Sequence, residues 1–222
     1  MQNTPLAFVR NVLTRTPLRR FSQAFHRYEY MFTPAQLAFL VSCVDATANV
    51  DGVIVEIGCA SGRTTIYLNR HLDETGDDRR YICIDTFSGF TDEDIENEVS
   101  QRAKPRTGLQ GFRVNSKDWF DRNMDQNQIR RVTSYAADIN VFDLASIAPK
   151  ISLCLVDVDL YRPVKAALEK VHPRMARGGM VVVDDAKPNS LFDGAFAAYA
   201  EFADRIGAPR ESVYEKLGIF RY

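Results

Sequence analysis

The 222-residue sequence predicts an α/β fold, a doubly wound and mostly parallel seven-stranded sheet that ends in an antiparallel C-terminal hairpin. Three observations predict it. From Pro34 onward, short apolar runs rich in β-branched residues alternate with amphipathic stretches, the pattern of strands buried on both faces and joined by crossover helices. A glycine-bearing turn, Gly58 to Gly62, follows the first of those runs and opens the first helix. Two later runs end in pairs of carboxylates, Asp157-Val158-Asp159 and Asp184-Asp185, one helix apart in the chain.

Taken in order, Val53 to Ile57 reads as a buried strand, followed by a helix from Gly62 through Leu72 with Ser61 and Thr64 as capping candidates. Tyr81 to Asp85, Val132 to Ala136, Ile151 to Asp157 and Met180 to Asp184 supply four more strands, and Pro163 to Met175 and Leu191 to Ile206 two more helices. Gly207-Ala208-Pro209 makes a turn. Ser212 to Lys216 and Ile219 to Tyr222 then form a hairpin around Leu217-Gly218, placing antiparallel strands at one edge. Residues 86–130 show no sustained period and read as a lid-like excursion over the carboxyl edge of the sheet. Residues 1–33 read as an N-terminal helical segment, a lid or dimer contact, and residues 34–222 as one domain.

Composition excludes several classes. A chain that is 45% hydrophobic and 26% charged builds a full globular core, and its net charge of -1 gives no global attraction to nucleic acid. Cys43, Cys59, Cys83 and Cys154 have no CxxC spacing, so neither a zinc site nor a disulfide framework is expected. No stretch reaches the ~20 apolar residues of a membrane span, and the N-terminus lacks the apolar core of a secretory signal, which places the expected location in the cytoplasm. Arg10, Arg15, Arg19, Arg20 and Arg27 precede the first acidic residue, Glu29, alongside Leu6, Val9, Leu13 and Leu18 at helical spacing. That is a basic helix packed on the domain or on a second subunit in a homodimer, or one drawn to an anionic surface.

In the turn Glu56-Ile57-Gly58-Cys59-Ala60-Ser61-Gly62, Gly58 lets the backbone turn sharply and Gly62 lets a ligand approach the helix start. A dinucleotide fingerprint would need glycines at 58, 60 and 63, where this chain has Ala60 and Arg63 at the last two. The acid that would hold a ribose diol falls at the end of the second strand, Asp85. Glu56-x-Gly58 with Asp85 resembles class I S-adenosylmethionine-dependent methyltransferases. That resemblance implies a cofactor set of Glu56, Gly58, Ala60, Ser61, Asp85 and Thr86, with Asp138 against the adenine amino group.

If the two acid-tipped runs are neighbouring strands, three or four carboxylates converge at one edge, where a hard cation or a proton transfer makes the repulsion tolerable. The stretches Val55-Glu56-Ile57-Gly58, Tyr81 to Phe90, Asp157-Val158-Asp159-Leu160-Tyr161 and Gly178 to Asp185 resemble the macrocin O-methyltransferase family over residues 52–222. Its members are magnesium-dependent and methylate sugar hydroxyls of glycosides. The resemblance implies Asp157, Asp184 and Asp185 as Mg2+ ligands, Asp159 as general base, S-adenosylmethionine as donor and a saccharide or small-molecule acceptor. The chain departs from the family at Cys59-Ala60-Ser61-Gly62-Arg63, where a bulky residue followed by Arg-Gly-Gly is usual, and in residues 186–194.

Rival readings have named residues too. Lys165, Arg174 and Lys187 lie near enough in sequence to turn the acids into a structural ion-pair cluster, although four acids at two strand ends stabilise a fold inefficiently. His71 and His172 read as ordinary helix histidines, and Phe112, Trp119 and Phe120 as either a sugar-binding wall or anchors of the excursion. A catechol-like diol would chelate the same ion. A phospho-switch domain also uses an acidic pocket with metal, but it carries its double acid after the first strand rather than after the fourth and fifth.

Overall fold

The structure is a computed structural model and describes residues 28, 30–188 and 190–222. The chain divides into a unit of residues 1–31 and a unit of residues 32–222, the second of which carries the fold. The basic helix expected in residues 1–33 lies almost wholly outside the described residues. Among these, the Tyr28 and Tyr30 rings pack in a tilted arrangement with centroids 5.7 Å apart.

The larger unit begins with α1 (Pro34–Ala46), closed at its start by a capping box in which Thr33 and Gln36 exchange hydrogen bonds. Strand β1 (Val53–Ile57) and helix α2 (Arg63–Thr75) form the first strand-turn-helix unit, and β2 (Tyr81–Asp85) follows. The excursion is more ordered than expected. It contains α3 (Asp92–Arg102), a 3-10 turn at Arg106–Leu109 and α4 (Lys117–Gln126), capped by Thr91 and Ser116. Helix α3 escaped the periodicity reading because two of its three buried residues, Asp94 and Glu98, are acids and only Ile95 is apolar. After β3 (Val132–Ala136) come β4 (Ile151–Val156), α5 (Tyr161–Val171), a 3-10 turn at His172–Arg174, β5 (Met175–Val183), α6 (Asp193–Ile206), β6 (Glu211–Val213) and β7 (Leu217–Arg221).

The seven strands lie in the order β3-β2-β1-β4-β5-β7-β6, with β7 antiparallel to both of its neighbours and the other pairings parallel, so the mostly parallel sheet with a C-terminal hairpin is as the sequence predicts. Their inner residues Val55, Ile82, Cys154, Val156, Val181 and Val183 are fully enclosed beneath α5 and α6, whose Val164, Leu168, Ala198 and Phe202 complete the core. Strand β5 starts five residues before the predicted Met180, with Gly178 at φ 84 bending the early part. The hairpin turn falls at residues 214–216 rather than at Leu217-Gly218. Tyr214 and Glu215 adopt the left-handed conformation there, with φ 49 and 70, and Leu217 and Gly218 pair with Val213 and Ser212 instead. Neither Ser61 nor Thr64 caps α2. Its N-cap is Gly62, at φ 84, with no side-chain cap bond.

Candidate active site

Parallel pairing aligns the strand ends in one row. Ile57 is level with Ile84 on β2 and Val156 on β4, and Val156 with Val183 on β5. The residues that follow, Asp85, Gly58, Asp157 and Asp184, therefore emerge side by side at the carboxyl edge. The ladder extends one step further there: Gly58 N–H donates to Ile84 O, Asp157 N–H to Ile57 O and Asp184 N–H to Val156 O, each at 2.8 Å. Strand order reverses between β1 and β4, so the glycine turn and the first aspartate flank the switch point where open α/β sheets bind ligands.

Gly58 has no room for a side chain. A Cβ on it would stand 1.9 Å from the Asp157 carbonyl oxygen, and its φ is +88°. Asp85 organises the turn beyond it: Oδ2 accepts from Cys59 N at 2.9 Å and Ala60 N at 2.8 Å, and Oδ1 from Phe87 N at 2.7 Å. Three donors leave about one of the roughly four acceptor positions of a carboxylate for a ligand hydroxyl. Gly62 meets Phe120 and Met124 of α4, and Asn123 of that helix donates to Ser61 O at 2.7 Å, so the excursion braces the turn. The uncapped start of α2 leaves amide groups for a polar ligand.

Glu56 stands beneath this turn rather than in the cleft. Only 1% exposed, it accepts hydrogen bonds from Thr65 at 2.7 Å and Tyr81 at 2.8 Å. Burial pushes its pKa up to about 7 despite these donors. It ties β1 to α2 and β2 beneath the turn. The Thr86 hydroxyl donates to Gly89 O at 2.6 Å, bracing its own loop. Asp138 Oδ1 accepts from both the backbone and side-chain nitrogens of Asn140 at 2.9 Å, and Asn140 also donates to Asp94 of α3.

The acidic pairs do come together. Asp157 is held well above the ordinary carboxylate range, by burial first and then by the charges of Asp184 and Asp159. Asp159 is raised in the same way, by burial, by Asp185 and Asp184, and by a carboxyl–carboxyl hydrogen bond to Asp185. Asp184, 4% exposed, is raised by burial against the opposing pull of Lys216. Asp159 and Asp185 both sit at positive φ, 61° and 52°, a conformation that non-glycine residues hold only where the surroundings impose it.

The arrangement differs from the expected cradle in one respect. Among the described residues, no group of three or more Asp, Glu, His or Cys side chains is set around a common metal position. The cation within the cluster belongs to the chain: Lys216 Nζ lies 2.6 Å from Asp184 Oδ2 and 3.6 Å from Asp185 Oδ1. Burial opposes its charge, but Asp184 outweighs that and holds the ammonium above the usual lysine value. Of the three suspected neutralisers, Lys165 pairs with Glu201 and Arg174 donates to the Lys170 carbonyl.

Lys216 escaped the sequence reading because its position follows from topology. Strand β7 runs antiparallel to β5, with Gly218 opposite Val183, so the turn before β7 must lie at the carboxyl end of β5. The chemistry of the donors is nevertheless the kind a hard divalent ion takes. The carboxylates of both pairs offer only oxygens, and the buried Asp184 Oδ1 has no hydrogen-bond partner.

Helix α3 locks the loops behind these acids. Glu98, 1% exposed, accepts from the Tyr161 amide at the start of α5 at 2.8 Å and from Arg102 at 2.9 Å. Arg102 and Lys104 then pair with Asp193 at the start of α6, at 2.6 and 2.8 Å. An acid at a helix N-terminus also complements the helix dipole. The excursion thus fixes the segments that leave both aspartate pairs, a role no local sequence pattern announces.

Structural comparison finds the same architecture in known enzymes. The O-methyltransferase NovP superposes with a TM-score of 0.71 at 19% identity, over 88% of this chain and 82% of its own. The calicheamicin methyltransferase CalS11 gives 0.69 at 22% identity, over 100% and 95%. An apo structure of CalS11, described as a TDP-rhamnose 3'-O-methyltransferase of calicheamicin biosynthesis, gives 0.61 at 20%, over 100% and 97%. No curated protein sequence matches the chain. No helix among the described residues is long and apolar enough to cross a membrane. A family model described as a methyltransferase domain matches residues 55–186, a span that holds the glycine turn, Asp85 and both aspartate pairs, and the chain accordingly belongs to the methyltransferase-domain family and is an S-adenosylmethionine-dependent methyltransferase.

Proposed function

We propose that the chain is a magnesium-dependent O-methyltransferase that moves the methyl group of S-adenosylmethionine to a hydroxyl of a sugar or glycoside. The observation that carries this reading is the acid row beside the glycine turn, with Asp157, Asp159 and Asp184 all raised in pKa and one buried oxygen of Asp184 unpartnered. Likeness to CalS11, described as a TDP-rhamnose 3'-O-methyltransferase, supports the sugar class of acceptor.

In this reading the amides of the turn and the open start of α2 take the methionine end of the cofactor, and the remaining acceptor position of Asp85 takes a ribose hydroxyl. Asp138, steadied by Asn140, receives the adenine amino group. Asp157, Asp184 and Asp185 would hold Mg2+. When bound, the ion stabilises negative charge on the acceptor oxygen. Asp159 accepts the hydroxyl proton as general base. The acceptor oxygen forms its bond to the methyl carbon as the carbon–sulfur bond breaks, releasing S-adenosylhomocysteine. The chain's part in that step is to hold the reactants in line and keep water out.

A screen with methyl-labelled S-adenosylmethionine over glycosides, nucleotide sugars and catechols, with and without chelator, tests the reading. It expects transfer to a saccharide hydroxyl that chelation abolishes and Mg2+ restores. Asp159→Asn is expected to lower kcat by roughly 10²–10⁴-fold with cofactor affinity retained. Full turnover after exhaustive chelation, or full turnover by the Asn variant, overturns it.

A further inference from the structure

We propose that Lys216 is a built-in counter-cation of the aspartate cluster, displaced from Asp184 when a divalent ion binds, so that this lysine sets how tightly the ion is held. The inference rests on the metal reading of the site given above. Its ground is the way the ammonium is delivered. The turn that carries it is fastened at several points: Gln36 of α1 donates to Tyr214 O at 2.9 Å, and Ala186 N–H donates to Lys216 O at 2.7 Å. The Phe39 and Tyr214 rings pack 5.5 Å apart. Ala186 directly follows the aspartate pair, so Lys216 and Asp184-Asp185 are held in one rigid corner.

From that corner the side chain places Nζ 2.6 Å from Asp184 Oδ2 and over the Phe32 ring, 4.8 Å from its centroid. A lysine stem can withdraw its charge by rotamer changes while the backbone stays fixed. Lys216 occupies Asp184 Oδ2, while the other oxygen, Oδ1, is buried without a hydrogen-bond partner. A divalent ion and Lys216 therefore compete for Asp184, and without the ion the lysine holds the Asp184 and Asp185 carboxylates.

Mg2+ and Mn2+ titrations of wild type, Lys216→Gln and Lys216→Arg with S-adenosylhomocysteine present, paired with thermal melts, test the proposal. Lys216→Gln should bind Mg2+ at least about tenfold more tightly, because it removes a positive charge beside the ion. Its ion-free melting temperature should fall, and saturating Mg2+ should raise it by more than in wild type. Lys216→Arg keeps the charge and should stay within about threefold of wild-type affinity. Equal or weaker Mg2+ binding by Lys216→Gln than by wild type overturns the proposal, as does a Gln variant that stays unfolded at saturating Mg2+. If neither wild type nor Lys216→Gln binds either ion, the metal reading falls and takes this inference with it. If both bind alike, the inference alone fails.

Discussion

Replacing Gly58 with alanine tests whether the glycine turn and the first aspartate form one unit. The added Cβ would lie 1.9 Å from the Asp157 carbonyl oxygen and 2.6 Å from its carbon. Both are backbone atoms of a strand end that also bonds Ile57, so no flexible side chain can yield. Reaching even 3.0 Å requires a shift of about 1 Å in one of the two strand ends. The left-handed φ of +88° adds roughly 1–2 kcal/mol for a residue with a Cβ. Together with the backbone displacement, a loss of at least about 3 kcal/mol is expected. For a chain of this length that corresponds to a fall in Tm of roughly 6–12 °C. Thermal unfolding measures the first effect. Calorimetric binding of S-adenosylhomocysteine measures the second, which should weaken because the turn moves with Asp157. A Gly58→Ala protein with Tm within about 2 °C of wild type and full cofactor affinity would refute the reasoning.

Two further substitutions probe the supports of the site. The folded-state pKa of Glu56 is about 7, raised from 4.5, so this group favours the folded state below pH 4.5 and loses that contribution as pH rises through 7, by up to about 3 kcal/mol. Glu56→Gln keeps an acceptor for Thr65 and Tyr81 without the charge, so in denaturant melts it should gain on wild type between pH 5 and pH 8. A stability difference independent of pH contradicts this. Glu98→Ala leaves the Tyr161 amide and Arg102 without their acceptor and should cost about 1–3 kcal/mol. Methyl transfer should fall further than stability does, because the segment after Asp159 loosens, and Glu98→Gln should recover much of it; equal activity in the Ala variant argues against the bracing role.

The sheet was legible because its strands are apolar runs with sharp polar ends. Val53–Ile57 and Tyr81–Asp85 are such runs, whereas Val132–Ala136, Val-Thr-Ser-Tyr-Ala, was marked by its β-branched and aromatic residues instead. The aspartate pairs were legible for the same reason, since charge ends a buried strand. Helix α3 was not, since it buries Asp94 and Glu98 in contacts with distant parts of the chain, which no local period encodes. Its acidic first turn and Arg102 near its end were the available signal. Glu56 was placed among cofactor contacts, whereas the structure puts it one layer below, because a strand's alternation does not say which polar residue finds buried donors. Lys216 depended on strand order, which sequence alone left open.

Manganese titration followed by electron paramagnetic resonance tests the central claim most directly, because it reads the ion itself rather than turnover. Wild-type protein saturated with S-adenosylhomocysteine is expected to bind one Mn2+ that Mg2+ displaces, and Asp157→Asn and Asp184→Asn should each abolish that binding while still taking up S-adenosylhomocysteine. Wild-type protein that leaves all the Mn2+ free, or an Asp184→Asn variant that binds it as wild type does, would contradict the account.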